Sequence, residues 1–494
     1  MNNFFKLMVL LFGGLLLHNC AKSQEDGDVN TELKVVSFTS DKESLIRNPG
    51  MGWTLYDDAN DEVANAATYW QNQDEIARKY ASCFYIRWRW SDMEPEEGKY
   101  AWDYNENFKA LVNGALDRGL KLAFRIYVDG QDNIRPGTPQ FVFDAGAESY
   151  EVIGFNVKHP SPYLDDPVFQ KKFSNFIQAF SKKFDDPSTV DYVDGFNLGW
   201  WGEGHHLVFK NPGNKINTFQ WIINLYGSNF KNVPLVMTIN SEMGYETEKN
   251  IAFEGQGYHP RRDGFASQWF TDFEKGLFGT IFPNKMVVAE SCYWGGGDIS
   301  YYSNLDQKYN WTSWGAYYTQ VVSEALSYHA NYLDLREVAE SKLYMTQAED
   351  QIKKFMIQGG YRLYPNEISY SEIISSSENI EVKHSWVNSG EGYLPNNDMR
   401  WNYKYKVTFS LLDNGNKVIK QWISATAEPS AWVKSNNPAY SESLSIENVP
   451  VGNYKLVLAI VDITSGSNPA INLAVDKTLL TTDNWLIIGE VSIK

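Results

Sequence analysis

Cysteine and positive charge are both scarce in this sequence. Three of the 494 residues are cysteine, Cys20, Cys83 and Cys292. The last two lie in or just after predicted strands that are far apart in order, so we favour two buried thiols over a disulfide between them. Lys and Arg number 44 against 61 Asp and Glu, a formal net charge of −17. This balance argues against a nucleic-acid partner, whose phosphates would be repelled, and against a basic membrane-binding surface.

The N-terminal segment is interpreted as an export address rather than as part of the fold. Lys6 precedes an apolar run, Leu7–Leu17, that is too short to span a bilayer well and has the length of a signal-peptide core. Cys20 follows, and this order resembles a bacterial lipoprotein signal, in which the cysteine is lipidated and becomes the mature N-terminus. His18 and Asn19 depart from the small residues usual there, so an ordinary secretory peptide or an uncleaved anchor is the alternative.

Acidic residues close behind Cys20 extend this interpretation. Glu25, Asp26 and Asp28 resemble the surface-export signal of Bacteroidetes lipoproteins, and a flexible acidic tether is the alternative. We therefore predict a signal peptide over residues 1–20, a tether over 21–33 and an outer-membrane lipoprotein facing the cell surface. The only membrane contact expected is through lipid at Cys20, because lipoprotein lipidation supplies the several acyl chains that stable anchoring needs.

Strand-like and helix-like segments alternate from about residue 34 to 362. Helical patterns such as Tyr104–Arg118 and Phe169–Phe184 separate the strands, and Ala348–Ile357 follows the last one. The strand candidates are Gly52–Tyr56, Ser82–Trp90, Leu120–Val128, Val193–Gly199, Leu235–Asn240, Gly264–Gln268, Lys285–Glu290 and Tyr332–Leu335. Alternation implies parallel strands with helical crossovers, and eight of them predict a (β/α)₈ TIM barrel. A doubly wound open sheet is the competitor, but no Gly-rich phosphate loop follows the first strand.

The pattern changes after Gly359 and Gly360. Short β-rich runs appear there without a helix of useful length, and turn signals such as Asp413–Gly415 and Pro450–Gly452 separate them. The runs are Ile380–Val387, Tyr403–Leu412, Tyr454–Asp462 and Leu486–Ser492. We predict an Ig-like antiparallel β-sandwich over residues 363–494. No low-complexity linker precedes it, so we expect it to dock on the barrel and brace it.

One stretch points to a family. Trp90-Ser-Asp-Met-Glu-Pro-Glu-Glu-Gly-Lys-Tyr-Ala-Trp102 follows a predicted strand and precedes a helix. It resembles the W-x-x-x-E-P-x-x-G-x-Y-x-F/W signature after the second strand in β-galactosidase-like members of glycoside hydrolase clan A. The resemblance covers the barrel, about two-thirds of the chain, and is closest to Bacteroidetes lipoproteins that combine a barrel with a sandwich. Fold analogy alone does not fix a substrate.

Two glutamates sit where glycoside cleavage needs carboxyl groups. Such cleavage uses one carboxylic acid to protonate the leaving oxygen and a second carboxylate as nucleophile or base. Glu203 comes just past the predicted fourth strand, and Glu290 ends the seventh, at the barrel face where active sites lie. The clan resemblance implies that Glu203 is the acid/base and Glu290 the nucleophile of a retaining mechanism. One departure is Gly202, which stands where the clan usually has an Asn that binds the sugar 2-hydroxyl; Asn197 is the nearest Asn.

Several side chains are candidates to support these glutamates. Glu290 needs a nearby cation to stay ionised, and Arg87, Arg89 and Arg125 on strands two and three are candidates. Glu203 needs a raised pKa, which packing against Trp200 or Trp201 would supply. The expected substrate-binding residues are Trp88, Arg89, Arg125, Trp201, His205 and Trp294. Aromatic residues make up 15% of the chain, which suits sugar platforms and a thick aromatic core equally well.

The simpler interpretations stay open. Glu290 is also explained by a structural ion pair with an arginine, and Glu203 by an ordinary surface loop. Asp57, Asp58 and Asp129 are reserve acids at the barrel mouth. The leading hypothesis is a monomeric retaining hydrolase of a polysaccharide or oligosaccharide, with β-linkages favoured by analogy. The alternatives are an inverting hydrolase or one using another acid, and a catalytically silent glycan-binding lipoprotein. We expect no cofactor and no metal, because adjacent histidines such as His205 and His206 do not converge easily on one ion.

Overall fold

The computed structural model describes residues 33–57, 63–130, 135–153, 158–239 and 242–494. Eight parallel strands form a closed barrel surrounded by helices, which confirms the predicted TIM barrel. In chain order these strands are Gly52–Tyr56, Ala81–Arg89, Lys121–Tyr127, Val190–Asp194, Leu235–Thr238, His259–Phe265, Val287–Ser291 and Ala330–Arg336. Each strand pairs with the next, and the eighth pairs with the first. The predictions for Cys20, the signal peptide and Asp58 lie outside the described residues.

The barrel strands are buried on both faces. Alternate residues pack either outward against the helices or inward in the barrel interior. Leu55, Phe84 and Leu333 belong to the layer between the barrel and its helices. Their neighbours on the strands belong to a separate cluster inside the barrel, as the two-residue period of a strand requires. We call this inner group the lower cluster; it comprises Cys83, Ala123, Tyr192, Val236, Met286, Val288 and Tyr332. It fills one half of the barrel interior with packed side chains.

The helices lie in the connections between the strands and after the last one. Local signals start them: Asp166 caps one helix ahead of a Pro in its first turn, and Thr271 with Glu274 forms a capping box. The α-helices are Ala66–Lys79, Trp90–Met93, Ala101–Tyr104, Glu106–Leu116, Gln140–Asp144, Pro167–Phe184, Lys215–Asn229, Tyr245–Glu248, Asp272–Ile281, Ile299–Asp306, Trp314–Ser327, Val338–Gln347 and Glu349–Gln358. A π-helical stretch, Lys249–Glu254, completes the fifth connection. Among the described residues, no helix combines the length and apolarity needed to cross a membrane.

Two strand predictions need correction. The sixth strand runs from His259 to Phe265, earlier than the predicted Gly264–Gln268. The fourth strand ends at Asp194, because the backbone turns soon afterwards with a positive φ of 62° at Asn197. The segment predicted to continue that strand is therefore a tight loop.

Two mainly antiparallel sheets form the predicted C-terminal sandwich. One contains Lys34–Ser37, Leu363–Tyr370, Asn379–Asn388 and Ala439–Ser445 in that order. The other contains Ile373–Ile374, Leu486–Ile493, Gly452–Asp462, Tyr405–Leu412 and Val418–Ile423, with Pro469–Ile471 also paired to Gly452–Asp462. We assigned Lys34–Ser37 to the barrel domain, and that assignment is wrong. Its backbone pairs antiparallel with Glu367–Tyr370 of the sandwich.

The sandwich docks directly on the barrel through buried polar contacts. His259 Nε2 lies 2.9 Å from Asp398 Oδ2, and His259 Nδ1 accepts a hydrogen bond from the Met286 amide. Burial lowers the pKa of His259, which fits a neutral ring with its proton on Nε2. Asn331 donates to the carbonyls of Gly50 and Tyr393 nearby. These bonds fix the sandwich against the N-terminal end of the barrel strands. Separately, Cys83 and Cys292 are free thiols.

Candidate active site

A tight loop after the fourth strand carries Glu203. Its turns are closed by backbone hydrogen bonds from Trp200 to His205 and from Glu203 to Trp200, while Trp201 donates to Asp129 of the third connection. Gly202 has φ of 73°, and a Cβ there would lie 3.1 Å from Asn197 Cα and 3.2 Å from Arg125 Cδ. The positive φ and this crowding together require glycine at position 202.

Glu203 is buried and held by an arginine. Arg125 Nη1 donates to Glu203 Oε1, and His205 Nε2 lies 3.9 Å from the other carboxylate oxygen. Burial raises the pKa of Glu203 above its usual value, and the negative charge of Asp263 raises it further, with a smaller contribution from Glu290. The positive charge of Arg125 opposes these effects, and the net result is a pKa of Glu203 above its usual value.

Glu290 has the opposite environment. It lies near the end of the seventh strand, where Arg261 Nη2 donates to one of its oxygens and Arg336 Nη2 lies 3.3 Å from the other. Burial alone would raise its pKa, but Arg261, Arg336 and then Arg125 outweigh that effect and lower it. Arg87 and Arg89 do not bind Glu290. Two of the three arginines predicted to keep Glu290 ionised are therefore wrong.

The two glutamates belong to one network of ion pairs and hydrogen bonds. Arg125 donates to Asp194 Oδ2 through Nε and Nη2 at 2.8 and 2.6 Å, and Arg261 Nε lies 3.7 Å from the same oxygen. Asp194 thus connects the arginine of Glu203 to the arginine of Glu290. Arg336 is fixed in turn by Asp334, 2.8 Å from its Nε. We call this set the upper network; it comprises Arg125, Asp194, Glu203, Arg261, Glu290, Asp334 and Arg336.

Asp263 is a third carboxylate that sequence reasoning missed. It lies on the sixth strand directly beside Glu290 of the seventh. One ligand-type atom each of Glu203, His205 and Asp263 lies within 4.8 Å of the others. Burial opposes ionisation of Asp263, but Arg262, His205 and Arg125 outweigh it and lower the pKa to about 2. These three residues have the spacing of a metal-ligand set. Both of their carboxylates are already bound by arginine, Glu203 by Arg125 and Asp263 by Arg262.

A pocket of about 840 Å³ opens beside this cluster. Trp201 and His205 from the loop of Glu203 line it, together with Asp263 of the sixth strand and Cys292 just after the seventh. The remaining wall comes from the fifth and sixth connections, between Ile239 and Leu277. Neither Glu203 nor Glu290 lines this pocket, so it lies next to the carboxylates rather than around them.

The predicted substrate-binding residues divide into three groups. Trp201 and His205 line the pocket, and Arg125 holds Glu203. Trp294 lies near the upper network, with the Arg336 guanidinium 4.1 Å from its ring centre. The prediction for Trp88 as a sugar platform is wrong, because its ring faces outward, packs on Phe108 and donates to Asp57.

The remaining predicted residues serve the structure around the site. Arg89 is buried and pairs with Asp92 at 3.1 Å. Asp129 accepts from Tyr150 at 2.9 Å, and Asp57 accepts from the Arg87 amide, so neither reserve acid joins the upper network. Burial raises the pKa of Asp57 to about 6.

The family-like stretch after the second strand is a structural brace. The Glu94 carboxylate accepts from Trp90 Nε1 and from the Gly98 amide, both at 2.8 Å. Tyr100 and Trp102 stack with ring centres 4.5 Å apart. Its residues therefore shape the second connection.

No protein-family model matches the chain, and no curated protein matches it. Among solved structures it is similar to the catalytic domain of β-amylase from Paenibacillus polymyxa, with 10% identity, TM-score 0.41, and 62% of this chain and 99% of that chain covered. Endo-glycoceramidase II from a Rhodococcus species has 12% identity and TM-score 0.41, with 81% and 99% covered. A β-galactosidase from the psychrophilic Marinomonas ef1 has 10% identity and TM-score 0.38, with 62% and 58% covered. At such identities no residue role is carried over from these proteins.

Proposed function

We propose that this protein is a retaining glycoside hydrolase with Glu203 as acid/base and Glu290 as nucleophile. One observation carries the proposal: two buried carboxyl groups with opposite electrostatic environments belong to the same arginine network at the carboxyl ends of the strands. Acid/base pairs in enzymes are recognised by such divergent environments. The carboxyl end of a TIM barrel is also the face at which active sites lie.

In the first step, Glu290 attacks the anomeric carbon while the bond from that carbon to the leaving oxygen breaks. Glu203 gives its proton to that oxygen, so the aglycone leaves as a neutral alcohol. The sugar is then bound to Glu290 as an ester. In the second step, the Glu203 carboxylate takes a proton from water, the water oxygen bonds to the anomeric carbon, and the bond to Glu290 breaks.

The charges around each glutamate match these roles. Arg261 and Arg336 favour the ionised form of Glu290, which a nucleophile needs. Burial and Asp263 favour the protonated form of Glu203, which a general acid needs before the first step. Once Glu290 becomes an ester its charge is lost, and Glu203 becomes easier to ionise in time to act as the base.

We further propose that the substrate is an oligosaccharide or polysaccharide with β-linkages, and that the enzyme acts at the cell surface through lipid at Cys20. The linkage rests on the resemblance to clan A, and the location rests on the N-terminal sequence.

A second candidate function is glycan binding without catalysis. It is favoured by the arginine contacts of both glutamates, since such ion pairs also occur as purely structural units. It is favoured too by the pocket, whose wall contains neither glutamate.

Hydrolysis of a panel of aryl β-glycosides and β-linked oligosaccharides separates the two functions. We expect Glu203→Gln to reduce kcat for oligosaccharides by about 10²–10⁴-fold, because general acid catalysis is lost. Glu290→Gln should abolish turnover while substrate binding persists. Glu94→Gln is the matched control, a buried glutamate outside the upper network, and should retain activity.

Product stereochemistry tests the retaining mechanism. Proton NMR during hydrolysis should show the anomer of the starting linkage first, and azide added to Glu290→Ala should give the glycosyl azide of inverted configuration. If wild type binds the glycans without cleaving any of them, the catalytic proposal is wrong and the binding function stands.

A further inference from the structure

The pocket beside Glu203 has a wall whose polar groups are already bound to one another. Arg262 donates from Nε to Glu274 at 2.8 Å, from Nη1 to the Asp263 carbonyl at 2.9 Å and from Nη2 to the Trp269 carbonyl at 2.7 Å. Thr271 donates to Glu274 at 2.9 Å. A sugar ring needs free partners for its hydroxyl groups, and this part of the wall offers few.

Beside Glu248, much of the remaining wall is apolar, and two of its large side chains are open to solvent. Trp269 is 55% exposed and Phe273 is 68% exposed, although both are large hydrophobic side chains. Ile239, Tyr245 and Leu277 extend the same surface. The pocket volume of about 840 Å³ is that of a small-molecule site. Exposed apolar patches such as the one on its wall commonly mark binding surfaces.

The position of the pocket indicates which part of a substrate it would hold. Neither glutamate lines the pocket, but two of its lining residues, His205 and Asp263, each place a side-chain atom within 4.8 Å of the Glu203 carboxylate. Arg261 and Arg336, which hold Glu290, do not line the pocket. The acid/base must face the leaving oxygen, and the nucleophile must face the sugar ring. The pocket therefore lies on the leaving-group side.

We propose that this pocket binds an apolar aglycone, an alkyl chain or an aryl group joined to the sugar through the bond to be cleaved. The assignment to the leaving group rests on the proposed hydrolase function. The binding of an apolar group by Trp269, Phe273 and Leu277 is measurable without any cleavage.

The test is a binding series with n-alkyl β-D-glucosides from methyl to octyl, each below its micelle concentration, followed by tryptophan fluorescence of the full protein. The glucose serves only to keep the chain in solution. We expect the affinity to rise about fourfold with each added methylene until the pocket is filled, as for burial of a CH₂ group. Phenyl β-D-glucoside is the second arm: binding tighter than that of the hexyl compound indicates an aryl aglycone, and weaker binding an alkyl one.

Two exposed aromatic residues provide the matched variants. Phe273→Ser should weaken octyl glucoside binding by about tenfold or more, because the chain loses an aromatic contact. Tyr301→Ser is the control, since Tyr301 is 64% exposed and lies outside the pocket wall. Both positions are exposed, so neither change should affect folding, which circular dichroism checks.

The outcomes separate this inference from the proposed function. Equal binding of methyl and octyl glucosides, or equal loss in Phe273→Ser and Tyr301→Ser, would overturn the pocket assignment even if glycosides are cleaved. Chain-length-dependent binding that Phe273→Ser alone removes supports the apolar site. If no glycoside in the hydrolysis panel is then cleaved, the hydrolase proposal fails and the apolar site remains.

Discussion

The two halves of the barrel interior are built from the same strands and differ in chemistry. In the lower cluster, inward positions such as Tyr192 and Val288 are apolar or aromatic. Two residues further along those strands, Asp194 and Glu290 belong to the upper network. Buried charges reduce stability unless they are paired, and the upper network contains both signs in contact. The comparison teaches that one end of the barrel interior is packed for stability, while the other holds paired charges where we propose that the reaction occurs.

The largest effect should come from breaking the lower cluster. Met286→Ala removes a fully buried side chain there, and we expect the free energy of unfolding to fall by about 2–5 kcal/mol. Urea denaturation measures this loss. Because the upper network is not touched, kcat/KM should stay within about twofold of wild type. A stable variant with little activity would show that the two halves are not independent.

A smaller effect, on activity rather than on stability, should come from a change in the upper network. Arg336→Lys keeps the positive charge but cannot reach Glu290, Asp334 and the Ser291 carbonyl together. We expect kcat/KM to fall by roughly 10- to 100-fold, about 1.4–2.7 kcal/mol of transition-state stabilisation. The acidic limb of the pH profile should also move to higher pH, since Glu290 loses support for its charge.

A buried arginine outside the site provides the control for that variant. Arg362 donates to the carbonyls of Ser44 and Asp41 near the sandwich. Arg362→Lys should reduce stability and leave the pH profile of kcat/KM unchanged. If both variants change activity alike, the effect of Arg336→Lys reflects general loosening of the fold.

The smallest effect should be a shift of the pH optimum. The charge of Asp263 raises the pKa of both Glu203 and Glu290, so Asp263→Asn should lower both. Glu290 must be ionised and Glu203 protonated, so the acidic limb reports Glu290 and the alkaline limb Glu203. Both limbs of kcat/KM should therefore move to lower pH. Asp272→Asn, an exposed change nearby, should move neither limb, and an alkaline shift in Asp263→Asn would contradict these assignments.

Local sequence patterns predicted most of the architecture, because strands with an apolar outer face alternate with capped helices. Glu203 and Glu290 could be placed because the first comes after a recognisable strand and the second lies near the end of another. The sixth strand begins His259-Pro-Arg-Arg-Asp263, with no apolar run to mark it, so Arg261 and Asp263 were missed. A signal was present: charges at alternate positions of a buried strand indicate an inward polar network, as in Asp334-Leu-Arg336.

Other features had no local signal or were misassigned. Applied to the second strand, the same two-residue period puts Arg87 and Arg89 inward and Trp88 outward, so the error at Trp88 was avoidable. The pairing of Lys34–Ser37 with Glu367–Tyr370 joins two segments that are separated in the sequence by the whole barrel. No neighbouring residues indicate such a partner, since the contact forms only in the folded protein.

That N-terminal pairing sets an order of events during synthesis. Lys34–Ser37 leaves the ribosome before any barrel strand, but Glu367–Tyr370, to which it pairs, is made only after all eight. The edge strand Lys34–Ser37 is therefore without its partner strand for as long as the barrel segment is being synthesised. Once the pairing forms, it holds the residues that precede the first barrel strand beside those that follow the last barrel helix.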